Sequence, residues 1–446
     1  MRQLFHEQLA LGGPVVNHPH AQDLEGVDRI LRGNPAIPAL VLQDLRHGLV
    51  APGDGRDGMT AEQVLRAAVL MRLHTWTYEE ATFHLADSWS YRAFCGYGVM
   101  GKPPGKSTLQ RNIKRITAQT WEAINRMLVH YAREHDVEDG RKVRTDATVT
   151  ETNIHHPTDS SLLWDCVRVL ARLVARARER CGVDRFPNRT RRAKRRSLDV
   201  LNAKNERKRR SAYHDLLSVT QETVGYARTA VAKLEALAGL PAAEGLGAEL
   251  RHYLGLAERV IDQTERRVLH GESVPAREKL VSIFEAHTDV IIKDRRDTHY
   301  GHKLTVTAGR SGLILDWVVE DGNPADSTLA TRMIERQQEI YGRVPRQAAM
   351  DGAFASKQNL AHIKELGVKD VAFSKKRGLH VLDMVKSEWV YKRLRNFRAG
   401  IEAWISFLKR SFGLDRCSWR DAPGFARYVG ASIVAANLLT LARRLA

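Results

Sequence analysis

Hydrophobic positions along this chain change period several times, and each change marks an element. Val64, Leu65, Ala68, Leu70 and Leu73 recur at helical intervals behind Thr60 and Gln63, which have capping-box spacing. Thr77 and Glu80 repeat the box ahead of Ala81, Phe83 and Leu85. A third start follows Lys106-Ser107-Thr108, with Leu109, Ile113 and Ile116 on one face and Arg111, Lys114 and Arg115 on the other. Three short helices with a basic last one suit a helix-turn-helix DNA binder over residues 59–135. A plain bundle with a solvated basic face has the same pattern. Upstream, residues 1–58 are rich in Pro, Gly and His, and predict an irregular arm with one short helix near Ile37 to Leu49.

The period then shortens to two. Val143, Thr145, Ala147 and Val149 alternate with Arg144, Asp146, Thr148 and Thr150, which predicts a strand carrying Asp146. Helical spacing returns over residues 160–284. Leu163, Val167, Leu170 and Val174 are one stripe, Leu217, Val224 and Val231 recur every seven, and Leu250, Leu254, Ala257 and Ile261 continue. Strands follow at His302 to Ala308, Leu313 to Glu320, Gln347 to Met350 and Asp370 to Ser374. Helices separate or follow them at Ser327 to Tyr341, Gln358 to Leu366 and from Glu388 onward. Without the helical insertion the order is βββαβαβα. That order predicts an α/β fold with a mixed sheet, antiparallel on one side and parallel on the other, assembled from residues 136–159 and 285–446. The apolar stretch Tyr428 to Leu441 is too short to span a bilayer and reads as a buried helix of a cytosolic protein. No secretory signal pattern is read at the N-terminus.

Charge sharpens this picture. Lys and Arg number 70 against 52 acidic residues, a formal net charge of +18, which favours a polyanionic partner such as nucleic acid. Much of the excess lies in the insertion, at Arg189-Thr-Arg-Arg-Ala-Lys-Arg-Arg196, where Arg191, Arg192 and Arg195 are candidate phosphate contacts. A solvated helix face is the alternative. Cys95, Cys166, Cys181 and Cys417 form no C-x-x-C pair, so a disulfide scaffold or zinc ribbon is not expected. His155, His156, His299 and His302 lack a suitable partner set for zinc. No phosphate-binding Gly-rich loop with Lys-Ser or Lys-Thr appears, so no ATP dependence is expected.

Three carboxylates sit where such a sheet can gather them: Asp146 in the first strand, Asp351 ending the Gln347 strand, and Glu402 on the last long helix. Oxygen ligands without a Cys or His cluster favour hard divalent cations, Mg²⁺ or Mn²⁺. Arg398, Glu402 and Lys409, four and seven residues apart, share one helical face. Asp316, Asp321 and Asp326 read as turn and capping residues, and Asp159 as a loop residue.

The segment Arg398-x-x-x-Glu402-x-x-x-x-x-x-Lys409, within RNFRAGIEAWISFLKRSFGL, resembles the acidic-helix signature of bacterial insertion-sequence DDE transposases, of the IS5-like and ISNCY type. Thr145-Asp146-Ala147-Thr148-Val149, the following Thr152-Asn-Ile-His-His-Pro-Thr-Asp159, Tyr300-Gly301-His302-Lys303, Gly322-Asn323-Pro324-Ala-Asp326 and Ala349-Met350-Asp351-Gly352 are similar to that group's strand motifs, in the right order. The group often carries Tyr three residues before the Arg, where this chain has Arg395. The resemblance implies an RNase H-like core with Asp146, Asp351 and Glu402 as a metal-binding triad. It implies terminal inverted repeats and target DNA as partners, with Arg398 and Lys409 steadying the scissile strand and His302 and Lys303 among the DNA contacts. Pairing two ends implies a homodimer or larger assembly. A catalytically silent DNA-binding descendant and a structure-selective nuclease are the competing readings.

Overall fold

The computed structural model describes residue 4 and residues 18–49, 58–98, 101–237, 239–293 and 297–446. Two helices, α1 (Pro19–Gly33) and α2 (Ala36–Arg46), replace most of the expected irregular arm. Leu24, Val27, Ile30 and Leu31 bury one face of α1, and its cap is His18, whose ring accepts from the His20 amide. A histidine cap is not a recognisable start signal, so only the second helix was legible. Residues 1–3, 5–17 and 50–57 of that arm lie outside the described residues. Helices α3 (Ala61–Leu73) and α4 (Tyr78–Asp87) start on the two capping boxes. Next come α5 (Trp89–Phe94), α6 (Lys106–Ile113) and α7 (Ala118–Glu134), with Leu109, Ile113 and Ile116 buried as their spacing required.

Strand β1 (Lys142–Thr152) is followed by α8 (Asp159–Cys181), α9 (Thr190–Leu201), α10 (Glu206–Glu235) and α11 (Pro241–Thr264). The three apolar stripes of these helices meet in a core of their own. Asp159 is not a loop residue: Thr158 caps α8, and Asp159 opens the helix, buried and paired with Arg267 at 3.1 Å. A strand the sequence concealed, β2 (Asp289–Lys293), pairs antiparallel with the first half of β3 (Asp297–Ala308), Asp289 opposite Gly301. Its five residues are too few, and Val-Ile-Ile too continuous, to display alternation.

The chain continues through β4 (Ile314–Val319), α12 (Ala330–Tyr341), β5 (Gln347–Met350), α13 (Lys357–Glu365), β6 (Asp370–Phe373), α14 (Val381–Met384), α15 (Glu388–Phe412), β7 (Arg416–Cys417) and α16 (Ala422–Arg444). The sheet order is β2-β3-β1-β5-β6, with β4 on β3 and β7 on β1. β1, β5 and β6 are parallel, and β3 and β4 antiparallel, which is the mixed sheet expected. The hairpin turn between β3 and β4 falls at Gly309 to Gly312. Gly312 has a φ of 92°, and a Cβ there would run into the Trp404 indole.

Two compact units result, residues 1–151 with 302–446, and residues 152–301. The second unit is wider than the expected insertion of residues 160–284, and at its C-terminal end it takes in β2 and the first half of β3, which pair with each other. The N-terminal helices also share one core with the sheet. Asn125 of α7 and Asn437 of α16 are buried partners (2.7 Å), and both bond the backbone of β4. Among the described residues α16 alone is long and apolar enough to cross a membrane, but 83% of its apolar window is buried within the protein.

Candidate active site

Register brings the first two acids together. Thr145 of β1 pairs with Met350 of β5, so the next residue on each parallel strand is Asp146 and Asp351. Neighbouring strands lie about 4.8 Å apart, and both residues stand at the same height. Beyond Met350 the chain turns through a short 3-10 segment, Gly352–Phe354. A Cβ on Gly352 would lie 2.6 Å from the Lys375 Cβ, so glycine is required by close approach.

Asp351 is locked from the side of β6. The Ser374 hydroxyl donates to its carboxylate (2.7 Å) and accepts from the Gly352 amide (2.9 Å). Burial alone would raise the Asp351 pKa. The Ser374 hydroxyl, the Gly352 amide, Arg398 and the Ala353 amide outweigh it and hold the carboxyl below its ordinary value. Asp146 accepts from the amide of Ala147 at 2.8 Å.

The third acid arrives on α15. Ser387 caps this helix, and the Tyr391 hydroxyl ties it to the Phe373 carbonyl of β6 (2.9 Å). Trp404 lies against Gly312, while Phe407 meets Phe412 edge-on and Leu408 is buried. Arg398 then reaches all three acids. Its guanidinium donates to Asp146 (2.9 Å) and Glu402 (2.8 Å) and lies 3.4 Å from Asp351. The Arg398 and Asp146 side chains are each 15% exposed, Asp351 35% and Glu402 64%, so the cluster is dry at its root and open at Glu402. Among the described residues no three acidic, His or Cys side chains converge closely enough to enclose an ion by themselves. One cation already gathers these three.

Residues 259–438 match a family described as the transposase DDE domain, and residues 25–115 match one described as a transposase domain. Together these two matches indicate a DDE transposase of an insertion sequence. No curated protein and no solved structure matches it. The mixed sheet of the transposase is accordingly an RNase H-like core, and DNA is its partner. The DDE match takes in Asp351 and Glu402. Asp146 lies outside it, on the strand that register sets beside β5.

The other residues singled out in the sequence are dispersed. Lys409 of the transposase pairs with Asp415 at 3.6 Å rather than with the triad. His302 is half-buried, edge-on to the Phe425 ring (4.6 Å). Lys303 is turned inward, 8% exposed, paired with Asp326 and bonded to the Pro324 carbonyl (2.6 Å). It clamps β3 to the loop after β4, a role that alternation along the strand could not distinguish from a surface lysine. Asp316 is held by both ends of the Arg336 guanidinium. Arg111 is exposed, Lys114 half-buried, and Arg115 bonds the His47 carbonyl (2.6 Å). On α9, Arg192 pairs with Asp215, whereas Arg191 and Arg195 are exposed with no carboxylate partner among the described residues. Ser374 and Arg144 were not singled out by the sequence. Both act through tertiary contacts, Arg144 by donating to the Phe397 carbonyl (2.8 Å) beneath α15.

Proposed function

We propose that this transposase cuts DNA at the ends of its element and joins the freed 3′ ends to target DNA, with Asp146, Asp351 and Glu402 as its metal-binding triad. The convergence of three acids from β1, the end of β5 and α15 on one guanidinium carries this reading. The donor set fits a hard divalent cation, Mg²⁺ or Mn²⁺: it is all oxygen, and it already surrounds a positive charge. Such ions supply nucleophile activation and stabilisation of the leaving oxygen in phosphodiester chemistry.

The chain's own residues do the positioning. Ser374 and the Gly352 amide keep Asp351 ionised and aimed. Glu402, on a rigid helix and largely exposed, closes the site from above. Arg398, once drawn off the carboxylates, presents two parallel donors that suit a phosphate. Lys409 lies on the same helical face, seven residues or about 10 Å beyond Glu402, and steadies the strand leading to the cut. Water attacks the phosphodiester at the element end and leaves a 3′-hydroxyl. That hydroxyl attacks target DNA in a second in-line displacement, so no covalent protein–DNA intermediate forms. Arg111, Lys114 and Arg115 at α6, and Arg191, Arg192 and Arg195 on α9, bind backbone phosphates. Two copies pair two ends. The residues around Glu402 support placement with the IS5-like elements, acting on chromosomal DNA in the cytoplasm.

Cleavage of supercoiled plasmid carrying the element ends tests this, with Mg²⁺ or EDTA, for wild type, Asp351→Ala and Glu402→Gln. The expected result is metal-dependent nicking at the end boundaries, lost in both variants while end binding persists. Specific binding without cutting by active-folded wild type would replace this reading with a silent DNA-binding protein.

A further inference from the structure

A second charged cluster lies along the same strand and helix. Lys142 and Arg144 stand two apart on β1, so they share a face with Asp146. Both cations sit over the Phe397 ring of α15, the Lys142 ammonium 4.3 Å and the Arg144 guanidinium 4.6 Å from its centroid. Arg393 lies one helical turn before Phe397 and is stacked on Trp389 at 4.6 Å. Arg310 projects from the β3–β4 turn. After burial, the charges that act most on Lys142 are those of Arg393, Arg144 and Arg310, and together they lower its pKa.

Like charges gathered this way cost free energy unless an anion answers them. Among the described residues neither Lys142, Arg310 nor Arg393 has a carboxylate partner. Glu138 acts on Arg144, but its own carboxylate is taken up by the Ser311 amide and hydroxyl (2.7 Å each) and the Gly140 amide (3.0 Å). Arg144 is buried, its guanidinium pressed against Gly400, so it supplies field rather than contact. Lys142 is half-buried, and Arg310 and Arg393 are exposed. These three can touch a ligand arriving from solvent.

Two independent rulers place the cluster. Lys142 to Asp146 is four residues of strand, about 13 Å. Arg393 to Glu402 is nine residues of helix, about 13.5 Å. B-form DNA rises about 3.4 Å per base step, so either ruler spans about four steps. We propose that Lys142, Arg310 and Arg393 form a binding site for a DNA backbone phosphate about four nucleotides from the bond that is cut. The site rests on the transposase reading above. It gives the duplex a second fixed point, so that the scissile phosphate is held in direction as well as in place.

The test uses the full chain and the variant Lys142→Met, Arg310→Gln, Arg393→Gln, in which Met preserves the packing on Phe397. Binding of an element-end duplex is measured between about 50 and 300 mM salt. The variant is expected to flatten the slope of log affinity against log salt by about 1. Arg310→Lys with Arg393→Lys should keep the wild-type slope. Single methylphosphonate substitutions along each strand should weaken wild-type binding about four nucleotides from the mapped cut, and the triple variant should be insensitive there. An unchanged slope, or an unchanged methylphosphonate pattern, overturns the site. Saturable binding of inorganic phosphate that depends on these residues, with no change in the DNA slope, overturns the DNA assignment in favour of a small anion. Wild type that binds no DNA overturns the transposase reading itself, and the site with it.

Discussion

Replacing Arg398 by Gln should destabilise the metal-free transposase and make metal a stronger stabiliser than it is for wild type. The pair with Asp146, at 2.9 Å and 15% exposure on both sides, resembles a partly buried charge-assisted hydrogen bond worth about 1.5–3 kcal/mol. The pair with Glu402 is solvated on the acid side and adds about 0.3–0.5 kcal/mol. The 3.4 Å approach to Asp351 is worth less than about 1 kcal/mol. Against these stands the buried Arg398 Nε, which has no hydrogen-bond partner among the described residues and is relieved by the change. The net loss is about 2–3 kcal/mol, or roughly 3–5 °C in melting temperature for a unit of this size. Thermal unfolding in EDTA and across a Mg²⁺ titration reads both effects. In wild type an ion must first displace the guanidinium, so its gain on loading is reduced by that cost. The variant has no such step, and its melting temperature should rise further. Equal melting in EDTA together with an equal response to Mg²⁺ would refute the idea that Arg398 stands in for a metal.

Three other outcomes follow from separate parts of the fold. His74 stacks on Trp76 (4.3 Å), and burial, then His20 and His84, lower its pKa to about 4. Because the folded value lies below the unfolded 6.5, stability is full above pH 6.5 and is lost as pH falls toward 4, by on the order of 2 kcal/mol; His74→Phe should flatten that acid limb in a melting-versus-pH series. Gly400→Ala puts a methyl group onto the Arg144 guanidinium and should cost about 1–3 kcal/mol by breaking its bond to the Phe397 carbonyl; adding Arg144→Met should recover part of this in chemical unfolding, and strict additivity would refute the contact. Arg191→Glu with Arg195→Glu should weaken DNA binding at every sequence tested and flatten its salt slope, and an unchanged slope in a titration would make that face of α9 merely solvated.

The element order was legible because the chain alternates periods cleanly: capping boxes opened α3 and α4, and β1, β4, β5 and β6 stood out between helices. Asp146, Asp351 and Glu402 were singled out as acids within one strand, at the end of another and on one helix, and the family resemblance sorted them from the rest. Their meeting on Arg398 was not. It depends on the register of β1 against β5 and on the rotation of α15, neither of which is written in local spacing. Ser374 and Arg144 were invisible for the same reason, since a serine after a strand and an arginine within one have many ordinary uses. Lys303 was expected among the DNA contacts through the family resemblance, whereas the fold turns it inward onto Asp326 and the Pro324 carbonyl, a tertiary contact that a motif does not reveal.

The chain leaves β1 at Thr152 and re-enters the core at His302 of β3, and these two strands are neighbours in the sheet. Adjacent strands lie only about 4.8 Å apart, so the 150 residues 152–301 begin and end almost at one point. Closing a loop of that length rather than one of about five residues is roughly five doublings, or about 3 kcal/mol by chain entropy. Exchange of the whole unit for a short linker would therefore leave the strand edges unstrained. The architecture permits a lineage to gain, trade or shed this segment as a cassette while Asp146, Asp351 and Glu402 keep their places.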